Sequence, residues 1–313
     1  MKSLVGFTGF VGSNISAKTD FDGLYNSKNI ADAYGTKPDL LVFAGLPAEK
    51  FLAAKFPEKD MEKVQEAIEN IKKIAPKQIV LISTIDVYPN PVNVDEDTVP
   101  TETASSVYGY HRLLLEKFVE NYSSDNLVVR LPGLYGKGIK KNFIYDMIHV
   151  IPSLLNDAKY KELSVSSELI RNNYALDDSG FYKCQAKGAE NLLKLKNEFE
   201  RLKFTALNFT DSRGVFQYYN LACLWGDIQI ALAHNVKKLN IATEPIRMDE
   251  LYQYVCGEEF CNEIQGKIIP HYDFKSKYFG LYGGKNGYLY DKNTVLSSIK
   301  SFVKDSKDEV FHI

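Results

Sequence analysis

Gly6-Phe7-Thr8-Gly9-Phe10-Val11-Gly12 follows directly on the apolar Leu4-Val5, and the reading of this stretch decides the fold. A short strand that runs into a glycine loop and then a helix is the entry unit of a dinucleotide-binding fold. The first glycine permits the tight turn, the second lets the backbone approach a pyrophosphate, and the third lets the helix pack close to the strand. N–H groups at the helix start then face the phosphates. Phe10 and Val11 belong to that turn, and Ser13-Asn14 adds small polar groups to it.

Outward from this loop the first half of the chain alternates strand and helix, which predicts a doubly wound parallel α/β sheet with helices on both faces. Strands are expected over residues 3–7, 23–25, 39–44, 78–84 and 126–131, and helices over 11–17, 60–75 and 110–122. In the helix at 60–75, Met61, Val64, Ala67, Ile68, Ile71 and Ile74 fall on one stripe. In the helix at 110–122, Leu113, Leu114, Phe118 and Val119 are expected to face the sheet. The polar, proline-containing stretch 88–106 reads as a long loop, a kind of segment that is often functional in compact domains. Beyond about Lys137 the alternation lapses: 143–155 and 179–202 read as helical, and strand-like segments return at 216–220 and 239–242. The later chain is therefore expected to form a smaller mixed α/β layer over the sheet's carboxyl edge. The expected division is 1–137 with 214–243 for the dinucleotide-binding domain, and 138–213 with 244–313 for a substrate-binding domain.

Composition narrows the classes of function. A chain of 313 residues can bury a large core, as one big domain or two joined ones. A hydrophobic content of 45% with 25% charged residues is that of an ordinary soluble globular chain. A formal net charge of −2, without any lysine- or arginine-rich run, offers no basic field for nucleic acid. No apolar stretch approaches membrane-spanning length, and the N-terminus enters a strand rather than a signal peptide. The expectation is a cytoplasmic protein with a small-molecule substrate and neither a nucleic-acid nor a membrane partner. Cys184, Cys223, Cys256 and Cys261 lack metal-ligand spacing and read as reduced thiols, so no metal is expected.

Ligands of such sheets bind outside the carboxyl ends of the strands. The glycine loop, the strand end Ser83-Thr84 and the start of the helix carrying Tyr108 and Arg112 converge there. Tyr108 and Arg112 are four residues apart and share a helix face. A tyrosine hydroxyl ordinarily loses its proton at about pH 10. A fixed cation on the same face, together with the positive ring of an oxidised nicotinamide, favours the phenolate. A neighbouring hydroxyl such as that of Thr84 can hold the substrate oxygen whose proton the tyrosine takes or gives. That is a general acid/base unit for interconverting an alcohol and a ketone beside a hydride acceptor. The plainer readings are a packed helix-start tyrosine for Tyr108 and a solvated helix cation for Arg112.

The motifs also come in a telling order. Behind the glycine loop stand Ser83-Thr84-Ile85-Asp86-Val87-Tyr88, then Tyr108-Gly109-Tyr110-His111-Arg112, then Arg130-Leu131-Pro132-Gly133-Leu134-Tyr135-Gly136. Leu239-Asn240-Ile241-Ala242 is followed by Met248-Asp249-Glu250-Leu251, and residues 218–228 include Asp227. In this order the chain resembles an extended short-chain dehydrogenase/reductase of the NAD-dependent epimerase/dehydratase family, whose members mostly act on nucleotide sugars. The family's elements are a wide glycine loop, Ser-Ser/Thr-x-x-Val-Tyr, Tyr-Gly-x-x-Lys, Arg-Pro-x-x-x-Tyr-Gly, His-Val-Asp-Asp and Tyr-Asn-Ile-Gly. The resemblance runs from end to end and is weakest between Ile151 and Ser212.

The resemblance implies a Rossmann sheet in which Thr84 holds the substrate oxygen and Tyr108 is the acid/base. Arg112 occupies the position of the lysine that binds the nicotinamide ribose and lowers the tyrosine's pKa. Cofactor contacts are implied for Gly6, Gly9, Phe10, Val11 and Gly12, for Asn26 and Ser27, for Ala44 and Gly45, and for Tyr108, Arg112 and Pro132. Substrate contacts are implied for Asp86 and Asn142. Arginine at 112 departs from the family: it keeps the charge on a planar, longer head with different hydrogen-bonding geometry. Ile85-Asp86 stands where the sugar 4,6-dehydratases carry Asp-Glu, so an unmodified dehydratase mechanism is not expected. Asp86 reads equally as a strand-end turn residue, and Asn142 equally as a helix N-cap. NAD-preferring folds usually end the second strand on a carboxylate. Here Asn26-Ser27-Lys28 follows Leu24-Tyr25, which leans towards NADP rather than NAD. The resulting expectation is an NAD(P)-dependent epimerase or keto-sugar reductase acting on a nucleotide-linked sugar. The alternative is a catalytically silent NAD(P)-binding sensor or scaffold. The family often dimerises through the helices carrying the tyrosine, and Leu113-Leu114-Leu115 is compatible with a homodimer and equally with packing on the sheet.

Overall fold

The computed structural model describes residues 1–101 and 106–311; residues 102–105 of the expected loop 88–106 lie outside the described residues. Two compact units share the chain. The first comprises Met1–Ile139, Val215–Ile246 and Pro270–Val295; the second comprises Lys140–Gly214, Arg247–Ile269 and the chain from Leu296 on. The first unit begins with β1 (Lys2–Val5), α1 (Phe10–Ser16), β2 (Gly23–Tyr25), β3 (Leu40–Phe43), α2 (Lys50–Lys55) and α3 (Pro57–Ile74). It continues with β4 (Gln78–Thr84), α4 (Val107–Tyr122), β5 (Asn126–Leu131) and β6 (Gly133–Tyr135). The second unit then supplies α5 (Phe143–Ile148), β7 (Leu154–Leu155), α6 (Asp157–Ser166), α7 (Glu168–Asn173), β8 (Tyr174–Leu176), β9 (Tyr182–Cys184) and α8 (Ala189–Arg201). The first unit resumes with β10 (Val215–Phe216), β11 (Tyr218–Asn220), α9 (Leu224–Ala233) and β12 (Lys238–Asn240).

In the first unit six parallel strands run in the order β2-β1-β3-β4-β5-β12. Both faces are apolar because successive side chains alternate between them. Val5, Leu41, Phe43, Ile79, Leu81 and Val128 point to the face packed by Val64, Ala67, Ile71 and Ile74 of α3 and by Leu115 and Val119 of α4. Leu4, Val42, Val80, Leu127, Val129 and Leu239 point to the other, packed by Ile15 of α1 and by Leu224, Ile228 and Ala231 of α9. This is the doubly wound Rossmann sheet. The strand order reverses between β1 and β3, which places the ligand crevice beyond Val5 and Phe43.

The register of α4 differs from the expectation. Leu113, Leu115 and Val119 are buried, whereas Leu114 and Phe118 are only partly so. The rotation is set by polar residues that the apolar pattern ignores. Arg130 of β5 is fully buried, and its Nη2 donates to Glu116 Oε2 at 2.6 Å while Nε reaches both carboxylate oxygens at 3.1 Å. Arg130 Nη1 also donates to the Tyr88 hydroxyl at 2.6 Å, which donates onward to the Asp95 carbonyl, and Ser83 donates to Glu116.

The chain boundaries of the units also differ from the expected ones, because Pro270–Val295 belongs to the first unit. Phe274 and Leu289 complete its core. Gln217 donates to the Phe274 carbonyl at 2.9 Å and accepts its N–H at 3.0 Å, and Glu96 accepts the Lys277 N–H at 2.8 Å.

The second unit has its own core of Leu155, Leu163, Ile170, Tyr174, Leu195 and Phe199 beside the antiparallel sheet β7-β9-β8. Two expected helices are shorter than their sequence pattern. The one at 143–155 ends at Ile148, ahead of Pro152, which disfavours helix at the residue before it. Within 179–202 only Ala189–Arg201 is helical. Tyr182 lies in a strand and stacks on Tyr160 with ring centroids 3.6 Å apart.

Two measurements check these features. Glu116→Gln leaves the buried Arg130 charge without its partner and is expected to cost about 3–5 kcal/mol in denaturant unfolding. Burial pushes the Asp146 carboxyl of α5 up to about 7, from 3.8. With its folded value raised, the protonated form favours the fold, so this stabilisation is full below the unfolded value and gone above about 7. Asp146→Asn is therefore expected to melt higher than wild type at roughly pH 8, and to lose most of that advantage by roughly pH 5.

Candidate active site

At the crevice the loops after β1 and β3 touch backbone to backbone. Gly6 has φ of +91°, and a Cβ there would lie 2.4 Å from the Ala44 carbonyl oxygen. A Cβ on Gly12 would lie 2.1 Å from the Gly6 carbonyl oxygen, so the α1 start can approach β1 only without a side chain. Gly9 is the exposed N-cap of α1, and no side chain caps that helix. Phe10 and Val11 are partly buried and pack against the core of the α1 face. Gly6 N–H donates to the Tyr25 carbonyl at 2.7 Å, which ties the loop to the end of β2. The strand stops at Tyr25, so Asn26-Ser27-Lys28 does follow it, with Asn26 Oδ1 accepting the Lys28 N–H at 2.9 Å. Gly45 is exposed, while Ala44 and Pro132 are partly buried at the ends of β3 and β5.

Thr84 closes β4 and Asp86 follows in a single 3-10 turn. Thr84 Oγ1 donates to Asp86 Oδ2 at 3.0 Å and accepts the Asp86 N–H at 3.2 Å. Two residues from elsewhere in the unit meet the same carboxylate. Lys50 Nζ lies 2.6 Å from Asp86 Oδ2, and the Tyr272 hydroxyl donates to Oδ1 at 3.2 Å. Gly109 lets this cluster press against the start of α4, since a Cβ there would stand 2.0 Å from the Asp86 carbonyl oxygen. Tyr108 is therefore next to Asp86, with 7% of its surface exposed. Burial pushes its hydroxyl above the usual range; Arg112 and Lys50 pull it back, while Asp86 pushes it further up.

Arg112 is not a solvated cation. It is 4% exposed, and its Cζ stacks 4.5 Å from the Tyr108 ring centroid. Nη1 and Nη2 donate to the two Asp60 oxygens at 3.0 Å each, and Nη2 also donates to the Pro47 carbonyl at 2.8 Å. His111 Nδ1 meets Asp60 as well, at 2.8 Å. These contacts use three of the guanidinium's five N–H groups, so the ribose contact that the resemblance implies would fall to Nε or to the second N–H of Nη1. Burial pushes the Asp60 carboxyl up, but the hydrogen bonds from Arg112 and His111 outweigh it and hold the group below its usual range.

Thr84, Asp86, Tyr108 and Arg112 thus come together in the first unit. Asn142 lies in the second, where its side-chain oxygen accepts the N–H groups of Ile144 and Tyr145 at 3.0 and 3.2 Å, the helix-capping role. Asp227 is buried on α9 and accepts from the hydroxyls of Tyr219 and Tyr290, a closed cluster apart from Tyr108. Sequence reasoning missed Lys50, Asp60 and Tyr272. Asp60 stood at the start of an expected helix; no local pattern marks the other two. No helix among the described residues is long and apolar enough to cross a membrane.

Residues 23–174 match the model of the NAD dependent epimerase/dehydratase family, a span that begins after the glycine loop. No curated protein matches the chain. The fold is similar to that of dTDP-4-dehydrorhamnose reductase from Bacillus anthracis in complex with NADP, at a TM-score of 0.63 and 14% identity over 97% of each chain. It is similar to RMD from Pseudomonas aeruginosa complexed with NADPH, at 0.63 and 13% identity over 98% of this chain and 99% of that one. UDP-glucose 4-epimerase from Thermotoga maritima with UDP-glucose gives 0.59 and 13% identity, over 99% of this chain and 100% of that one. At such identities the likeness is one of fold.

The Asp60–Arg112 clamp predicts an acid-dependent stability. Asp60's lowered value means that its contribution is present above the ordinary carboxylate range and is lost as pH falls through the folded value. Arg112→Met is expected to cost about 3 kcal/mol in denaturant unfolding at neutral pH. The difference from wild type should shrink below about pH 4.

Proposed function

We propose, from the match of residues 23–174 to the NAD dependent epimerase/dehydratase family model, that the chain is an NAD(P)-dependent keto-sugar reductase or epimerase acting on a nucleotide-linked sugar. The observation that carries the reading is the contact of Thr84-Asp86 with the Tyr108-Gly109 helix start, beyond the end of β4, the strand next to β3 where the sheet order reverses. A dinucleotide fits the residues present. The glycine loop offers backbone without side chains, and no side chain caps α1. Gly6, Gly9 and Gly12 with Phe10 and Val11 would hold the pyrophosphate, and Asn26 and Ser27 the adenosine ribose. Ala44, Gly45 and Pro132 would border the rest. The absence of a carboxylate after β2 suits a 2′-phosphate and hence NADP. Bound nicotinamide supplies hydride transfer.

The chain's own part is the proton. Tyr108 would give a proton to the nascent alkoxide in reduction, or take one from a sugar hydroxyl in epimerisation. Its raised pKa keeps it protonated at rest, which suits the giving direction. Thr84 would hold the substrate oxygen after exchanging its bond to Asp86 for one to the ligand. A second reading is favoured by Arg112, whose terminal nitrogens are committed to Asp60 and Pro47. On that reading the chain binds the cofactor without turnover.

Tyr108→Phe separates the two readings. With NADPH and a panel of nucleotide-linked keto-sugars, absorbance of the nicotinamide should fall with wild type. The rate should drop on the order of 10²-fold or more in the variant, a far larger change than that in cofactor affinity. Mass spectrometry of nucleotide-linked sugars after incubation covers epimerisation. Turnover that survives Tyr108→Phe would refute the acid/base role, and cofactor binding without turnover by wild type would favour the silent protein.

A further inference from the structure

Two cations stand near Tyr108, and their surroundings differ. Arg112 stacks on the Tyr108 ring, and its terminal nitrogens donate to Asp60, which His111 also meets, and to the Pro47 carbonyl. Pro47 lies three residues ahead of Lys50, so the guanidinium pins the connection that carries Lys50. Lys50 turns its ammonium to Asp86 at 2.6 Å and lies 6.0 Å from the Tyr272 ring centroid, with 59% of its side chain exposed. Asp86 in turn is fixed by the Thr84 and Tyr272 hydroxyls and by the close approach of its carbonyl to Gly109.

We propose that Lys50, supplied by the segment after β3, is the positioning residue of this site: it neutralises and orients Asp86 beside the Tyr108 hydroxyl, while Arg112 is the strut that holds the Lys50 segment in place. The proposal rests on the reading of Tyr108 as the acid/base. Charge arithmetic supports it. The charged groups facing Tyr108 are Arg112, Lys50 and Asp86. Those facing Lys50 are Asp86 and the phenols of Tyr272 and Tyr108. Arg112, although paired with Asp60, also acts on the phenol, and Lys50 adds to its effect. Without Lys50, Asp86 would present an uncompensated negative charge to the phenol and disfavour its ionisation. Asp86, with the phenols of Tyr272 and Tyr108, raises the Lys50 ammonium above its ordinary range and keeps it charged.

The experiment places 3,5-difluorotyrosine at position 108 and follows its titration by fluorine NMR in the full chain without ligand. Fluorination brings the phenol into a measurable range, and the single label needs no assignment. Lys50→Met is expected to raise the midpoint by roughly 0.5–1 pH unit. Lys50→Arg should restore most of it, and Asp86→Asn should lower it. A structural role for Lys50 alone would move the melting temperature and not the midpoint. An unchanged midpoint in Lys50→Met, or one that Lys50→Arg does not restore, overturns the proposal. Asp86→Asn supplies an independent test by sign, since a midpoint that rises there also overturns it. The readout uses no substrate, so a failure of the acid/base reading shows separately, as turnover that persists in Tyr108→Phe.

Discussion

The ion pair of Glu116 and Arg130, closed inside the first unit, is the constraint on which the site depends. Two charges buried this deeply are tolerable only when their remaining hydrogen-bonding capacity is met. Ser83 and Tyr88 meet it, drawing the end of β4 and the chain after it onto the same pair. The pair therefore fixes the rotation of α4 against the sheet. Tyr108, Arg112 and Glu116 follow each other at four-residue spacing and so share a helix face. Once Glu116 is locked to β5, the other two have their places: Arg112 reaches α3 through Asp60, and Tyr108 lies beside Asp86. A rotation by one position would bring Leu115 out of its core and break all three connections together.

Close backbone contact is the second constraint, and it works at both ends of the site. Gly6 and Gly12 let the loop after β1 collapse onto Ala44 and onto α1, which shapes the crevice at the strand-order reversal. Gly109 lets Asp86 meet the first turn of α4. The tyrosine thus owes its neighbours to a residue that carries no side chain. An alanine at 109 would have to displace a backbone carbonyl of the turn that also carries Thr84's hydrogen-bond partner.

These particulars explain what was legible in the sequence. β4 and β5 were legible to the residue, because a strand buried on both faces shows as a short, mostly apolar run with turn residues at its ends. The conjunction of Thr84, Asp86 and Tyr108 was legible because all three lie at the ends of elements that the pattern located. Arg112 was visible as a departure, but its partner was not, since Asp60 sits 52 residues away. Lys50 and Tyr272 left no signal: they are 36 and 186 residues from the carboxylate they meet, and long-range pairing has no period. The register of α4 was misjudged because apolar spacing alone allowed Leu114 inward, while the deciding interaction was polar. The length of the helix expected at 179–202 was overestimated for a similar reason. Tyr182 and Cys184 stand two apart, the period of a strand, and sheet pairing and the Tyr160 stack claim that segment.

An arginine in the lysine's place has a consequence that the charge alone conceals. A lysine ends in a compact ammonium that can serve a ligand, whereas a guanidinium is a fork that a carboxylate can occupy on two prongs. Asp60 occupies it here, and the Pro47 carbonyl takes a further proton of Nη2. The guanidinium at 112 thereby joins α4 to α3 and to the chain after β3, while its charge still acts on the Tyr108 phenol. Asp86 and Lys50 form a second compensated pair on the other side of Tyr108. Between two such pairs the phenol is governed first by its burial, which favours the protonated form. A hydroxyl held neutral in this way is poised to give a proton as charge develops on a bound oxygen. To take one, it needs an added positive charge, such as that of an oxidised nicotinamide ring, so the resting protein suits the reducing direction of the proposed chemistry.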